Sequence, residues 1–305
     1  MNDVVAGLAP VFILIALGWA ARAGRLATAE AFGVVNRFGY FVLYPAFLFS
    51  LISQASFAGQ GAAPFLIGVL GGVAIAVALA LSLRLLFRGD GPAFTSVFQG
   101  SIRWNGFVLL AAALPLYGQA GLDLIGLAFG PIVLTINIVS VTVLARWGAA
   151  RATSWRAVFD QIIANPLILS CAAGLLANAA GLRDLGPLTY ALDLLGDAAM
   201  PIAIICVGAG LDFKALRRAG PHVLTASAMK LAVMPAILFA TATAAGADPL
   251  GAAVAAGLGA TPTAAAGYTL AREMGGDAQL MAAIITATTL LSLITMPLAI
   301  GLTLP

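Results

Sequence analysis

Gln99-Gly-Ser-Ile-Arg-Trp-Asn-Gly106 places polar side chains and two glycines in the middle of an apolar run that extends from residue 92 to 117. About 156 residues further on, Gly257-Leu-Gly-Ala-Thr-Pro-Thr263 does the same inside the run 249–271. Proline removes a backbone donor and clashes with the preceding turn. Glycine and asparagine accept dihedrals outside the helical region. Each run therefore reads as a helix broken into two halves, at residues 103–107 and 260–264.

Composition says what surrounds these breaks. Of 305 residues, 62% are apolar and 9% charged, against roughly 25% charged in an average soluble domain. Lipid must cover much of such a chain, because too little polar surface remains to cover its core. The net charge of +3 is spread along the loops, with no basic patch that would suit nucleic acid. Cys171 and Cys206 lie in apolar segments without metal-ligand spacing, so neither a metal site nor a cofactor is expected. Lys214 and Lys230 are the only lysines among many arginines, and Ala and Gly abound. This pattern suggests a GC-rich bacterial genome, and hence the bacterial cytoplasmic (inner) membrane.

Val4 to Ala21 resembles a signal peptide in its apolarity but has the reverse polarity. Asp3 precedes it, and Arg22 and Arg25 follow it. It reads as a first span with the N-terminus outside. Stretches of about 17–25 residues suffice to cross a bilayer, and ten are found: 3–21, 32–55, 63–87, 92–117, 122–145, 161–180, 187–209, 221–245, 249–271 and 278–303. After spans 1, 3, 5, 7 and 9 the basic residues are Arg22, Arg25, Arg37, Arg84, Arg88, Arg146, Arg151, Arg156, Lys214, Arg217, Arg218 and Arg272; the other side holds Arg183 alone. This is the positive-inside asymmetry, with both termini outside.

Five spans per half put two similar halves, 1–148 and 149–305, in opposite orientations. Pro10 and Pro166, Pro45 and Pro201, and Asn105-Gly106 and Thr261-Pro262 share one offset of about 156 residues. The fold expected is thus an all-α membrane protein of ten transmembrane helices in two inverted five-helix repeats. Such repeats belong to carriers that expose one midplane site to either side in turn.

The second half of each broken helix starts with unpaired N–H groups and a partial positive charge. Two such termini meeting near midplane favour an anion, which places Asn105, Gly106, Thr261, Pro262 and Thr263 at a substrate site. Arg103 lies about 16 Å along the fourth span, and Lys230 and Asp197 fall at similar depth in the eighth and seventh. A charge at the centre of a core of about 30 Å is expensive and usually functional. Asp197 either neutralises Lys230 or Arg103 as a structural pair or carries a proton during transport. Asn137 in the fifth span adds an amide near the same depth. The function expected is secondary transport of a small organic anion by alternating access, coupled to H+. Sodium-coupled or uncoupled movement is the alternative, and a channel or membrane sensor is the reading of another class. Enzymatic readings fail: Asp193 and Asp197 share one helix, unlike a facing aspartyl pair, His222 is the only histidine, and no Gly-rich phosphate loop is present.

At these residues the chain resembles a known family. Leu8-Ala-Pro-Val-Phe-Ile-Leu-Ile-Ala-Leu-Gly18, Asn36 with Tyr44-Pro45, Arg103-Trp-Asn105 and Gly196-Asp-Ala-Ala-Met-Pro201 are similar to the auxin efflux carrier family in its bacterial branch. The resemblance implies a ten-helix fold shared with bile acid–sodium symporters. Helices 1, 2, 6 and 7 would form a scaffold, the other six would move, and broken helices 4 and 9 would cross near midplane. Carboxylates would bind at the crossing, near Asn105 and the residues after Pro262. Members that keep an Arg-aromatic-Asn motif resemble malonate or related dicarboxylate carriers. A homodimer through the scaffold helices is a further expectation. Many members have a proline in the helix-4 break where this chain has Asn105-Gly106, so a softer break is expected there.

Overall fold

The computed structural model describes residues 2–55, 61–87, 89–149, 164–182, 184–217 and 220–304. Arg88, Arg151, Arg156, Arg183 and Arg218 of the loop-charge pattern lie outside the described residues. Those described form helices and short connections, with no strand among them. The helices are α1 (Asn2–Ala23), α2 (Ala29–Gln54), α3 (Ala62–Leu85), α4 (Gly91–Ile102), α5 (Gly106–Trp147) and α6 (Pro166–Ala179). They continue as α7 (Pro187–Ala209), α8 (Phe213–Arg217), α9 (Pro221–Ala244), α10 (Pro249–Ala260), α11 (Ala266–Met274) and α12 (Ala278–Thr303).

Among the described residues, seven helical stretches are long and apolar enough to cross a membrane, with Gly91–Trp147 taken as one. α6 and α10 are apolar but shorter. The chain is a multi-pass membrane protein, and its burial pattern is that of one. Ile67, Leu176 and Ile294 are about two-thirds or more exposed, whereas Gln99, Lys230, Thr261 and Thr263 are fully buried. Water would reward the opposite arrangement.

Local chemistry sets the helix ends. Asp90 caps α4 by accepting from Ala93 N (3.0 Å), Asp248 caps α10 from Gly251 N (2.7 Å), and Asp277 caps α12 from Leu280 N (2.9 Å). Each carboxylate meets N–H groups that the helix cannot pair itself. At the opposite pole, Arg22 donates to Ala209 O at the carbonyl end of α7 (2.6 Å), where positive charge is favoured. Gly118 divides α5, since its φ of 65° and ψ of −170° are all but closed to other residues. The helix before it completes the fourth run and the helix after it is the expected fifth span.

Two internal prolines are absorbed in the same way. Gly39–Leu43 and Met229–Val233 are single π turns, each followed by one residue and then a proline, Pro45 or Pro235. Tyr44 N bonds to Gly39 O and Met234 N to Met229 O. The wider turn relieves the clash of the proline ring with the carbonyl one turn back, so both helices continue.

α1 packs on α7, and the second part of α2 packs on α6 and α7. In the remainder of the bundle, α9 packs on α3 and on α10, while α12 packs on α10, α4 and α9. α4, α10 and residues 261–263 of the second break are buried between these groups, whereas Ala265 and Ala266 at the start of α11 are exposed.

Candidate functional site

α4 ends at Ile102, and the chain is extended at Arg103 (φ −71°, ψ 131°) before α5 begins at Gly106. α10 ends at Ala260, and Thr261 (φ −61°, ψ 150°) leads a non-helical segment up to Ala265. Both interruptions fall where the sequence places them. The break after α4 covers residues 103–105 and is shorter than that at 261–265, but it is complete even without a proline.

The two breaks meet. Asn105 N donates to Pro262 O (2.9 Å), and Thr263 Oγ1 donates to Gly100 O near the end of α4 (2.7 Å). Thr263 N donates to Thr288 Oγ1 of α12 (3.2 Å), and Thr261 Oγ1 donates to Leu258 O (3.0 Å). Asn105 N–H and Gly100 O, both freed by the first interruption, are thus satisfied by the second, as an apolar surrounding demands. Thr261 and Thr263 are fully buried with their hydroxyls committed to half-helix carbonyls. Together with Pro262 they tie the crossing. Gly106 is also a packing position, because the rings of Phe129 and Trp104 occupy the space a Cβ would need.

Arg103 is the exception to this satisfaction. Its side chain, 7% exposed, runs past Gly267 of α11, and Nη2 donates to Asn137 Oδ1 (2.8 Å). Nε and Nη1 are buried without a hydrogen-bond partner among the described residues. Gln99, one turn earlier in α4, is fully buried, and neither of its amide atoms has a partner among the described residues. Asn105 makes no side-chain hydrogen bond to a described residue. Buried polar atoms are nearly always paired, so this concentration of free donors marks a place prepared for an acceptor. The backbone adds to it. Among the described residues, none accepts from Gly106 or Phe107 N–H at the start of α5, nor from Ala264, Ala265 or Ala266 N–H at the start of α11.

Lys230 lies in the π turn of α9, fully buried, and donates to Gly259 O at the carbonyl end of α10 (2.5 Å) and weakly to Met234 Sδ (3.4 Å). Asp197 is exposed on the outer face of α7 and is paired with neither Lys230 nor Arg103. The expectation that it neutralises one of them is corrected. Equal depth along two helices does not bring side chains together when one points out of the bundle. Asp193, one turn earlier on α7, faces Gln54 Nε2 of α2 (3.4 Å).

The structure brings Arg103 and Asn137 together beside Asn105, and it places Thr261 and Thr263, expected at the substrate site, with their hydroxyls bonded to backbone carbonyls. Sequence reasoning missed Gln99 as a site residue, although a glutamine four positions before Arg103 in an apolar helix was the available signal.

A site where two broken helices meet is the form taken by many secondary carriers. The family model described as membrane transport protein matches residues 3–161 and 151–300 of this chain. The chain belongs to this family, that of the auxin efflux carriers. A Rhizobium meliloti (strain 1021) protein named Putative malonate transporter is 26% identical over 301 residues, covering 97% of this chain and 94% of that one. The auxin efflux carrier motifs named above occupy α1, α2, the α4–α5 break and α7. Only the third lies at the crossing, and the others belong to α7 and to α1 and α2, each of which packs on α7.

Proposed function

We propose that this auxin efflux carrier family member moves small organic carboxylates across the bacterial cytoplasmic membrane by alternating access, binding them at the crossing of the two broken helices. The observation that carries this reading is Arg103, a buried guanidinium with two unpartnered N–H positions and no acidic neighbour in its own segment. A carboxylate offers two oxygens that match such donors, and charge-assisted bonds are the strong ones. Asn137 orients the guanidinium, Asn105 and Gln99 supply amides, and the open N–H groups of α5 and α11 add partial positive charge. Thr261, Pro262 and Thr263 hold the geometry. The name of the Rhizobium relative supports malonate as the first substrate to test.

The halves 1–148 and 149–305 are proposed as inverted five-helix repeats giving ten spans, with both termini outside. The packing supports the exchange. Swapping the halves turns the contact of α1 with α7 into that of α6 with α2, and both are present. Helices α1, α2, α6 and α7 form the scaffold, whose outer face carries Asp197. A second copy of the chain docked on that face would shield this carboxylate from lipid.

Thermal-shift measurements in detergent test the substrate class. Mono- and dicarboxylates should stabilise the protein, and amines and neutral sugars should not. Stabilisation by amines or sugars alone would remove the assignment.

A further inference from the structure

Lys230 is a buried cation that the carboxylate site does not use. Its ammonium points at Gly259 O, one of the last four carbonyls of α10. These lack partners inside the helix and carry its partial negative charge. The contact is built from two directions. The π turn Met229–Val233 widens α9 so that Lys230 and Pro235, five residues apart, come to the same side. At Gly259 a Cβ would stand 2.5 Å from Pro235 Cα and 2.6 Å from Pro235 N, so only glycine lets the two backbones approach and brings its carbonyl within reach of the ammonium.

The surrounding charge is one-sided. Residues 97–107 and 257–267 contain no Asp or Glu, and neither does α9 or α12. Arg103 and Lys230 are therefore two buried positive charges in segments that contribute no acid, and the buried acid of α5, Asp123, lies 17 residues beyond Gly106 and accepts from Gln119 Nε2 (2.8 Å). A free cation entering here would meet repulsion, and the carbonyl end it would seek is occupied. In carriers with broken helices, such carbonyl ends are where a coupling Na+ is held.

We propose that Lys230 is a tethered cation that holds the carbonyl end of α10 in place of a bound inorganic ion, so that the crossing assembles and works without sodium. Lys230 is a positioning residue, acting through Gly259 on the break at 261–265 and touching no substrate. The ammonium travels with α9 and α10 and never dissociates. The inference rests on the observed crossing, and only its transport test rests on the carboxylate reading.

The full-length protein in detergent is heated in NaCl, KCl or choline chloride at equal ionic strength, wild type beside Lys230→Ala. The wild type should melt at one temperature in all three salts. Lys230→Ala should melt lower and be shifted back upward by Na+ or methylammonium, which fit the vacated space, but not by choline. A sodium-specific rise in the wild-type Tm would overturn the proposal, as would a Lys230→Ala protein indifferent to every small cation. If Lys230→Ala does not fold, Lys230→Ser leaves similar room with an added oxygen ligand, and the wild-type comparison decides by itself. In proteoliposomes, wild-type [14C]malonate exchange should be equal in Na+ and choline, and a requirement for Na+ would contradict the proposal. Absence of any malonate exchange would count against the carboxylate reading and leave the thermal result standing.

Discussion

Replacing Arg103 with methionine should move stability and affinity in opposite senses. In the free protein Arg103 is 7% exposed, and among the described residues its guanidinium is bonded only through Nη2 to Asn137 Oδ1, with Nε and Nη1 unpaired. Burying an ion costs several kcal/mol after relaxation, and one hydrogen bond to a charged group returns about 1.5–3 kcal/mol. The residue is therefore a net cost before substrate arrives. Replacing buried charges with apolar groups of similar volume has been neutral or stabilising by about 1–4 kcal/mol, so the Tm of Arg103→Met should stay level or rise. With a carboxylate bound, the same substitution removes one partner of a desolvated, hydrogen-bonded charge pair, a loss of about 2–5 kcal/mol. At 1.4 kcal/mol per tenfold, even the low end weakens binding by about 30-fold. Thermal unfolding in detergent and calorimetric titration with malonate measure the two quantities on one sample. A variant that melts lower yet keeps wild-type malonate affinity would make Arg103 a structural strut and refute the reasoning.

Three further substitutions probe the crossing and its surroundings. Thr263→Val strips the donor from Gly100 O, and an unmet buried carbonyl costs about 1–3 kcal/mol; the Tm should fall, and Thr263→Ser should restore it. Gly259→Ala forces a Cβ onto the backbone of Pro235 and should destabilise by about 1–3 kcal/mol, seen as a lower Tm; an unchanged Tm would mean that α9 and α10 are not pressed together there. Asp197→Asn should leave malonate affinity unchanged, since the residue is exposed on the far face of α7; a loss comparable to that of Arg103→Met would put it at the site after all.

Much of the architecture was legible because membrane insertion imposes simple arithmetic. Apolar length marks membrane-crossing helices, and a polar segment with Gly, Asn or Pro at mid-span marks a break. Both breaks lie where those signals put them. Depth along a helix follows from residue count, whereas rotation about its axis depends on which neighbour it packs against. That is why Arg103 and Asn137 were correctly brought together while Asp197 was wrongly turned inward. The π turns were also hidden, since each depends on how a helix accommodates Pro45 or Pro235, and a kink would have suited the same residues. With the π turn of α9 unseen, the partner of Lys230 could not be Gly259, and an acid was the natural substitute. The hydroxyl partners of Thr261 and Thr263 are not legible either, because a single segment does not disclose which carbonyls its own helix end and the other break will offer.

The most direct test of the central claim is exchange through the crossing. Purified protein is reconstituted into liposomes loaded with unlabelled malonate, and the entry of external [14C]malonate is followed against its concentration for the wild type and Arg103→Met. The wild type should show saturable uptake, and the variant should need far more malonate to reach half-saturation. Flux that rises linearly with concentration, or that is identical in the variant, would contradict a carboxylate carrier built on Arg103.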